Sequence, residues 1–65
     1  MQIEKSDIEI LKTFKTIDDK WVVEIKQLSN GRIASGKSKQ QVKAYKEAVK
    51  FLELRNKADE IRRNK

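Results

Sequence analysis

Cysteine, histidine and proline are all absent from this 65-residue sequence, and glycine occurs only twice. Without cysteine there is neither a disulfide framework nor a thiolate metal site. Without histidine the usual zinc, haem and general-base arrangements are excluded. We therefore expect no metal and no cofactor. A chain of this length forms one small domain that buries only about 60% of its unfolded surface, so its stability should be modest.

Long hydrophobic runs are also missing. No apolar segment approaches the length of a membrane span, and the first five residues lack the apolar core of a signal peptide. We therefore expect a cytoplasmic protein with no membrane partner.

Positive charge is plentiful but unevenly placed. Residues 1–31 carry five Lys against six acids, a net charge of −1, whereas residues 32–50 carry six Lys or Arg against Glu47 alone, a net charge of +5. Residues 51–65 carry five basic residues and three acids, a net of +2. A local field of this kind attracts polyanions.

The chain is organised around a predicted helix that follows Gly36. Ser38 and Gln41 have the spacing of a capping box, with Ser38 as the N-cap, and the helix should begin at Lys39 and end near residue 62. An apolar stripe then recurs at helical spacing, at Val42, Tyr45, Val49 and Leu52.

Three strands are predicted before this helix. The segment 8–17 favours a strand, although a capping-box pattern and i, i+4, i+7 spacing leave a helix as the alternative. Residues 20–28 alternate clearly, with Trp21, Val23 and Ile25 on one face. Asn30-Gly31 predicts a two-residue hairpin loop that leads into a strand over 32–36, with Leu28 opposite Ile33.

These elements predict an α+β domain in which a three-stranded antiparallel β-meander packs against one long C-terminal helix. Residues 1–7 should be loosely ordered, 8–36 should form the sheet, 38–62 the capped helix and 63–65 a frayed tail. The small residue Ala34 should lie where the helix approaches the sheet most closely. The predicted core consists of Ile10, Phe14, Trp21, Val23, Ile25, Ala34, Val42, Tyr45, Val49 and Leu52.

Late in the helix the apolar pattern changes direction. A second stripe is rotated by roughly 100–150° from the first, and a helix packed on one sheet would not bury both. Since neither proline nor glycine interrupts the segment, we expect a continuous, partly projecting helix rather than a break near Asn56. The stripe is a candidate interaction surface, formed by Phe51, Leu54, Ala58 and Ile61.

The sequence does not indicate an enzyme. Its neighbouring acids, Asp18-Asp19 and Asp59-Glu60, are explained as turn-forming or solvated groups, and a sheet with one helix has little room for a catalytic cleft. The run from Gly31 to Ser38 has the spacing of a phosphate-binding P-loop. That loop follows a buried parallel strand in a much larger domain, whereas here the run is half of a hairpin.

Binding of a polyanion is the better prediction. Four lysines fall within a sector of about 60° beside the first apolar stripe, so their ammonium groups should line up. They are Lys39, Lys43, Lys46 and Lys50. Such a row can contact phosphates of duplex RNA or DNA and release their counterions. The candidate nucleic-acid-binding residues are Arg32, Lys37, Ser38, Lys39, Lys43, Lys46 and Lys50. The alternative is a small protein-interaction or inhibitor module, which could be a homodimer through the C-terminal helix.

The residues that open the helix resemble a family signature. The last strand of the double-stranded-RNA-binding domain ends in Gly-x-Ser-Lys-Lys-x-Ala-Lys, and here Gly36, Ser38, Lys39 and Lys43 match it. The resemblance covers roughly residues 8–54, the C-terminal half of that fold, and the first helix of the family is lacking. It implies that Lys39 and Lys43 contact phosphates across the major groove of A-form RNA.

Overall fold

Three antiparallel strands in the order β1-β2-β3, followed by one long helix, make up the part of the chain that the computed structural model describes, residues 3–63. This is the predicted α+β arrangement, and the ambiguous segment 8–17 is a strand. The elements are a 3₁₀ turn (Lys5–Asp7), β1 (Ile8–Lys15), β2 (Trp21–Gln27), β3 (Ile33–Ser38) and α1 (Gln41–Arg63).

Before β1, Lys5–Asp7 form a 3₁₀ turn in which the Asp7 N–H donates to the Glu4 carbonyl at 3.0 Å. The loose order expected of residues 1–7 stays a prediction. At the other end α1 continues to Arg63, one residue past the predicted boundary. The remaining residues of the two predicted terminal segments, Met1, Gln2, Asn64 and Lys65, lie outside the described part of the chain.

The Asp18-Asp19 turn joins β1 to β2 as predicted. The Thr16 N–H donates to the Lys20 carbonyl at 2.7 Å, and the Thr16 hydroxyl donates to the Asp18 carboxylate. Asp19 adopts a φ of 66°, a left-handed conformation that Asp tolerates better than most residues.

The loop between β2 and β3 is longer than predicted. The Gln27 N–H donates to the Arg32 carbonyl at 2.8 Å, so residues 28–31 form a four-residue loop, and Gly31 takes the left-handed conformation with a φ of 72°. Leu28 therefore does not face Ile33, whose partner is Lys26. Because the register between β2 and β3 moves by two residues, every side chain of these two strands keeps its predicted face of the sheet.

A β-bulge in β1 changes which side chains face the helix. Ile10 pairs with Ile25 and Lys12 pairs with Glu24, which leaves Leu11 as the extra residue. An extra residue reverses the alternation that follows it. Phe14 therefore pairs with Val22 on the open face of the sheet, the face away from α1, and it is 48% exposed. The prediction that Phe14 belongs to the core was wrong for this reason.

The core lies between α1 and the middle of the sheet. Its buried residues are Val23, Ile25, Ala44, Ala48 and Leu52. Four further predicted members, Trp21, Ala34, Tyr45 and Val49, are half-buried against it, together with Ile3 and Ile8. Ile10 and Val42 were wrongly predicted, since they are 55% and 65% exposed.

The helix begins at Gln41 rather than at Lys39. Ser38 pairs with Trp21 at the end of β3, and this pairing holds Ser38 in an extended conformation. The Ala44 N–H donates instead to the carbonyl of Gln40 at 3.0 Å. The predicted capping box between Ser38 and Gln41 is therefore not formed.

Gly36 marks the closest approach of α1 to the sheet. A Cβ atom placed on Gly36 would overlap the Ala44 carbonyl oxygen and lie 2.6 Å from the Ala48 nitrogen. The prediction had assigned this position to Ala34, two residues earlier. Small residues on both elements, Gly36 on β3 and Ala44 and Ala48 on α1, let the two backbones come together.

The helix is continuous past Asn56, as predicted. Its 23 residues span roughly 35 Å, more than the six- to eight-residue strands, and the molecule measures 44 × 20 × 15 Å. The last turns of α1 therefore extend beyond the sheet. No helix in residues 3–63 is both long enough and apolar enough to cross a membrane.

Candidate nucleic-acid interface

The predicted lysines of α1 lie on the side of the helix that faces away from the sheet. The buried line of the helix runs through Ala44, Ala48 and Leu52. At 100° per residue, Lys43, Lys46 and Lys50 are about 140–160° from the centre of that line. All three are exposed. The structure thus brings together three of the four lysines that the sequence placed in one row.

Lys39 is not part of the helix. It lies with Gln40 in the short connection between β3 and α1, and it is exposed there. Its position just before the first turn still places it near the Lys43 end of the row.

Sequence reasoning missed one lysine on the same face. Lys57 follows Lys50 by seven residues and lies about 180° from the buried line, where it is exposed. The seven-residue spacing is the signal that could have identified it. We call Lys43, Lys46, Lys50 and Lys57 the outer lysine row.

Within residues 3–62, no carboxylate oxygen lies within 4.0 Å of an ammonium group of the outer lysine row or of Lys39. The ion pairs in that part of the chain all involve other basic residues. No ion pair within the described residues therefore occupies these ammonium groups, which leaves them able to contact an external anion, although Glu47 and Glu53 lie one turn away from lysines of the row.

Arg32 and Lys37 have a different environment from the row. Arg32 forms an ion pair with Asp59, and both side chains are about one-third exposed. The Lys37 ammonium lies 3.6 Å from an Asp18 carboxylate oxygen. Lys37 also pairs with Val22, so it points to the open face of the sheet, away from α1. The structure does not bring either residue together with the outer lysine row.

Ser38 is also separated from the predicted site. It is the last residue of β3 and is half-buried. Lys39 and Gln40 separate it from the start of the helix. Its hydroxyl therefore does not lie at the helix N-terminus, where the predicted capping box had placed it.

A polar network that the sequence did not predict fixes the direction of the helix. Gln27 is a buried residue on the helix face of β2, and its side-chain oxygen accepts hydrogen bonds from Asn30 and Asn56, both at 2.9 Å. Arg32 donates to the Asn56 oxygen at 3.4 Å and pairs with Asp59. The hairpin loop is thereby bound to α1 in the middle of its C-terminal half.

Asp7 connects the same network to the start of β1. Its carboxylate accepts hydrogen bonds from the Ser29 hydroxyl at 2.6 Å, the Ser29 N–H at 3.0 Å and the Gln27 amide at 3.1 Å. The Ser29 and Gln27 side chains hold the pKa of Asp7 below its ordinary value, against a smaller opposing effect of desolvation. The signal in the sequence was Gln27 itself, a polar residue that continues the buried alternation of Val23 and Ile25 and so needs buried partners.

At the opposite end of the sheet, Asp18 is held by its own turn. The hydrogen bond from the Thr16 hydroxyl lowers the pKa of Asp18, and the charges of Lys37 and Lys20 act in the same direction. This carboxylate therefore remains ionised and offsets part of the positive charge on the open face of the sheet.

The second predicted surface, the stripe on the C-terminal half of α1, is not covered by the sheet. Phe51, Leu54 and Ile61 are 49%, 54% and 56% exposed, and Ala58 is exposed as well. Leu54 and Ile61 lie on the outer side of the helix between and beyond the lysines. Phe51 and Ala58 lie toward the β3 side, where Arg55 donates to the Ile33 carbonyl at 3.3 Å.

Comparison with known protein families, with curated proteins and with solved structures gives no significant match to this chain.

Proposed function

We propose that this protein binds duplex nucleic acid, RNA or DNA, by contacting phosphates with Lys39 and the outer lysine row. The observation that carries this proposal is the alignment of exposed lysines along the outside of α1 with no carboxylate of residues 3–62 within 4.0 Å of their ammonium groups. Binding a polyanion would release counterions from it, and that release supplies most of the free energy of such contacts.

The dimensions of the row suit a duplex. Lys43 and Lys57 are separated by fourteen residues, which is about 21 Å along the helix axis. The major groove of B-DNA is about 12 Å wide, so a row of this length can reach phosphates on both sides of a groove.

The side chains of the row favour backbone contacts over reading of bases. Lysine acts as a flexible point charge, whereas bidentate recognition of base edges depends mainly on Arg, Asn and Gln. Between Lys43 and Lys57, the outer side of the helix carries Lys46, Lys50, Glu53 and Leu54, none of which is Arg, Asn or Gln. We therefore expect weak dependence on base sequence.

The outer side of α1 also favours duplexes over single strands. Sequence-independent binding of single strands depends on aromatic side chains on which bases stack. Phe51, the exposed aromatic residue of α1, is about 100° from Lys50 around the helix and does not interleave with the row. Duplex RNA is the first ligand to test, because the resemblance of Gly36, Ser38, Lys39 and Lys43 to the double-stranded-RNA-binding domain implies A-form RNA.

The test is fluorescence anisotropy with labelled duplex RNA, duplex DNA and single strands over a series of salt concentrations. Contact of Lys39 and the four lysines of the row with about five phosphates predicts that log K falls against log salt with a slope near −4.5 for B-DNA. The triple substitution Lys43→Gln, Lys46→Gln and Lys50→Gln should reduce the magnitude of that slope by about 3 units.

A matched control removes three lysines from the open face of the sheet, by Lys12→Gln, Lys26→Gln and Lys37→Gln. Each triple variant loses three positive charges from a net charge of +6, so the two differ only in where the charges were. Equal loss of binding in both variants, or affinity that does not change with salt, would refute the proposed interface.

The exposed C-terminal stripe supports a second candidate function, self-association or binding of a protein partner. Sedimentation of the wild type over a range of concentrations tests self-association, with Leu54→Asp and Ile61→Asp as the disrupting variants. A mass that is monomeric throughout and unchanged by these variants would count against a homodimer. Since Leu54 lies on the same side of α1 as the outer lysine row, a dimer formed there would compete with nucleic acid for that side of the helix.

A further inference from the structure

One helix does not cover the whole sheet. An α-helix with its side chains is about 10–12 Å across, while neighbouring strands are about 4.8 Å apart, so a single helix covers about two strands. In this protein α1 packs against β2 and β3, with the closest contact at Gly36. The helix-facing side of β1 is left without a helix above it.

The uncovered strip forms an apolar groove between β1 and the flank of α1. Its two connected halves have volumes of about 500 and 590 Å³ and share Lys5, Ile8, Val42 and Tyr45. We call this cavity the β1 groove. Ile10 and Val42 contribute the most exposed apolar surface, at 55% and 65% exposure. Along α1 the groove extends from Gln41 to Glu53, roughly 18 Å.

The charges around the β1 groove have one dominant sign. Lys5, Lys46 and Lys50 line its rim, and Glu53 at one end is the only acid among its lining residues in the described part of the chain. The rim lysines have no carboxylate of residues 3–62 within 4.0 Å. An occupant with acidic residues beside its apolar face would therefore be attracted. A second copy of this chain, with a net charge of +6, would be repelled on average.

We propose that the β1 groove binds an amphipathic helix of another protein, about three turns long, with an apolar stripe flanked by Asp and Glu. Such a helix would lie beside α1 at the usual spacing of 8–10 Å and place its apolar side chains on Ile8, Val42 and Tyr45. Its carboxylates would reach Lys5, Lys46 and Lys50. Binding of an amphipathic helix in an apolar groove is a common mode of peptide recognition.

This site is distinct from the proposed nucleic-acid interface, although Lys46 and Lys50 border both. The floor of the groove is made of apolar residues that do not belong to the outer lysine row. Conversely, Lys43 and Lys57 are in the row but do not line the groove. The two proposals can therefore be separated by substitution.

The probe for the test is a designed helical peptide of about 14 residues, with Leu at i, i+3, i+7 and i+10 and Glu at the flanking positions. Amide and methyl shifts of the isotope-labelled protein are recorded as the peptide is added. We expect the shifts at saturation to be largest at Ile8, Ile10, Val42 and Tyr45. A matched peptide with every Glu replaced by Lys should bind at least about tenfold more weakly, since it carries like charges to the rim.

Substitutions in the protein locate the site. The double variant Ile10→Glu and Val42→Glu should weaken peptide binding at least about tenfold, because it places carboxylates on the apolar floor. Both positions are more than half exposed, so the fold should persist, which the dispersion of the amide spectrum checks. The control Phe14→Glu alters a comparably exposed apolar residue on the open face and should leave binding unchanged.

The outcome also separates this proposal from the proposed function. Lys43→Gln with Lys57→Gln should weaken duplex binding and leave peptide binding unchanged. The proposal is overturned if the acidic peptide causes no shifts in the groove, or if the lysine peptide binds equally well. It is also overturned if the groove residues shift with protein concentration alone and Val42→Glu abolishes that shift, since the occupant would then be a second copy of the chain.

Discussion

The two sides of α1 differ sharply in how they meet the sheet. On the β3 side small residues meet, and a Cβ atom on Gly36 would overlap the backbone of Ala44 and Ala48. On the β1 side larger apolar residues, Val42 and Ile10, remain more than half exposed beside an open groove. The helix lies where the backbones can approach most closely, and the number of apolar side chains on each side does not decide its position.

This difference explains most of the errors in the predicted core. Apolar periodicity assumes that the largest residues of a stripe face the sheet, and on that basis Val42 and Ile10 were placed in the core. Because α1 approaches the sheet most closely at Gly36 of β3, it buries Ala44 and Ala48, and Val42 faces the β1 groove. The following predictions test this asymmetry, beginning with the largest expected effect.

Gly36→Ala should lower the free energy of unfolding by about 3 kcal/mol or more, because the added methyl group meets backbone atoms that cannot rotate away. Denaturant unfolding monitored by the single Trp measures the loss. Gly31→Ala is the matched control, because its added methyl group meets no atom within 4 Å. It should lower the free energy of unfolding by only about 1 kcal/mol, the cost of holding alanine in the left-handed conformation. If Gly36→Ala were as stable as the wild type, the close approach on the β3 side would be wrong.

Leu52→Ala should destabilise the protein by about 2–3 kcal/mol, since Leu52 is fully buried on the side of α1 that faces the sheet. Val42→Ala removes an apolar side chain from the same helix but from the open side, and we expect a change within about 0.5 kcal/mol. The comparison uses the same unfolding assay. A large loss at Val42 would show that the β1 groove is closed in solution.

Acid should loosen the β1 side first, because the Asp7 carboxylate joins the start of β1 to Gln27 and Ser29, whereas α1 packs chiefly against β2 and β3. The pKa of Asp7 is lowered in the folded state, so its contribution to stability is fully present above the unfolded value near 3.8 and is lost as the pH falls through the lower folded value. Hydrogen exchange measured below pH 4 should show protection lost in β1 before β3.

Asp7→Asn tests that assignment, since a neutral amide removes this titration and should flatten the dependence of the melting temperature on pH in the acid range. Asp18→Asn is the control at the other end of the sheet, where the lowered pKa comes chiefly from Thr16. It should leave the order of exchange between β1 and β3 unchanged. Simultaneous loss of protection in both strands of the wild type would argue against a separately held β1 side.

The sequence predicted the type and order of the elements because their patterns are local. Alternation in 20–28, the absence of proline and glycine after Gly36, and the turn at Asp18-Asp19 each depend on a few neighbouring residues. The continuous helix and the exposure of Leu54 and Ile61 also followed from periodicity alone. Three of the predicted lysines share one side of α1 for the same reason.

What the sequence could not predict depends on contacts between distant residues. The bulge at Leu11, which moves Phe14 to the open face, has no local signature. The ion pair of Arg32 with Asp59 and the hydrogen bond from Asn56 to Gln27 join positions more than twenty residues apart. Ser38 was taken for a helix cap because its spacing to Gln41 fits one, but pairing with Trp21 keeps it in the strand.

The central claim is that phosphates are contacted by the outer side of α1 and not by the sheet. The most direct measurement is the change in amide shifts of the labelled protein as duplex RNA, and separately duplex DNA, is added. We predict that the largest changes occur at Lys39, Lys43, Lys46, Lys50 and Lys57. Changes centred instead on Lys12, Lys26 and Lys37, the lysines of the open sheet face, would contradict the claim.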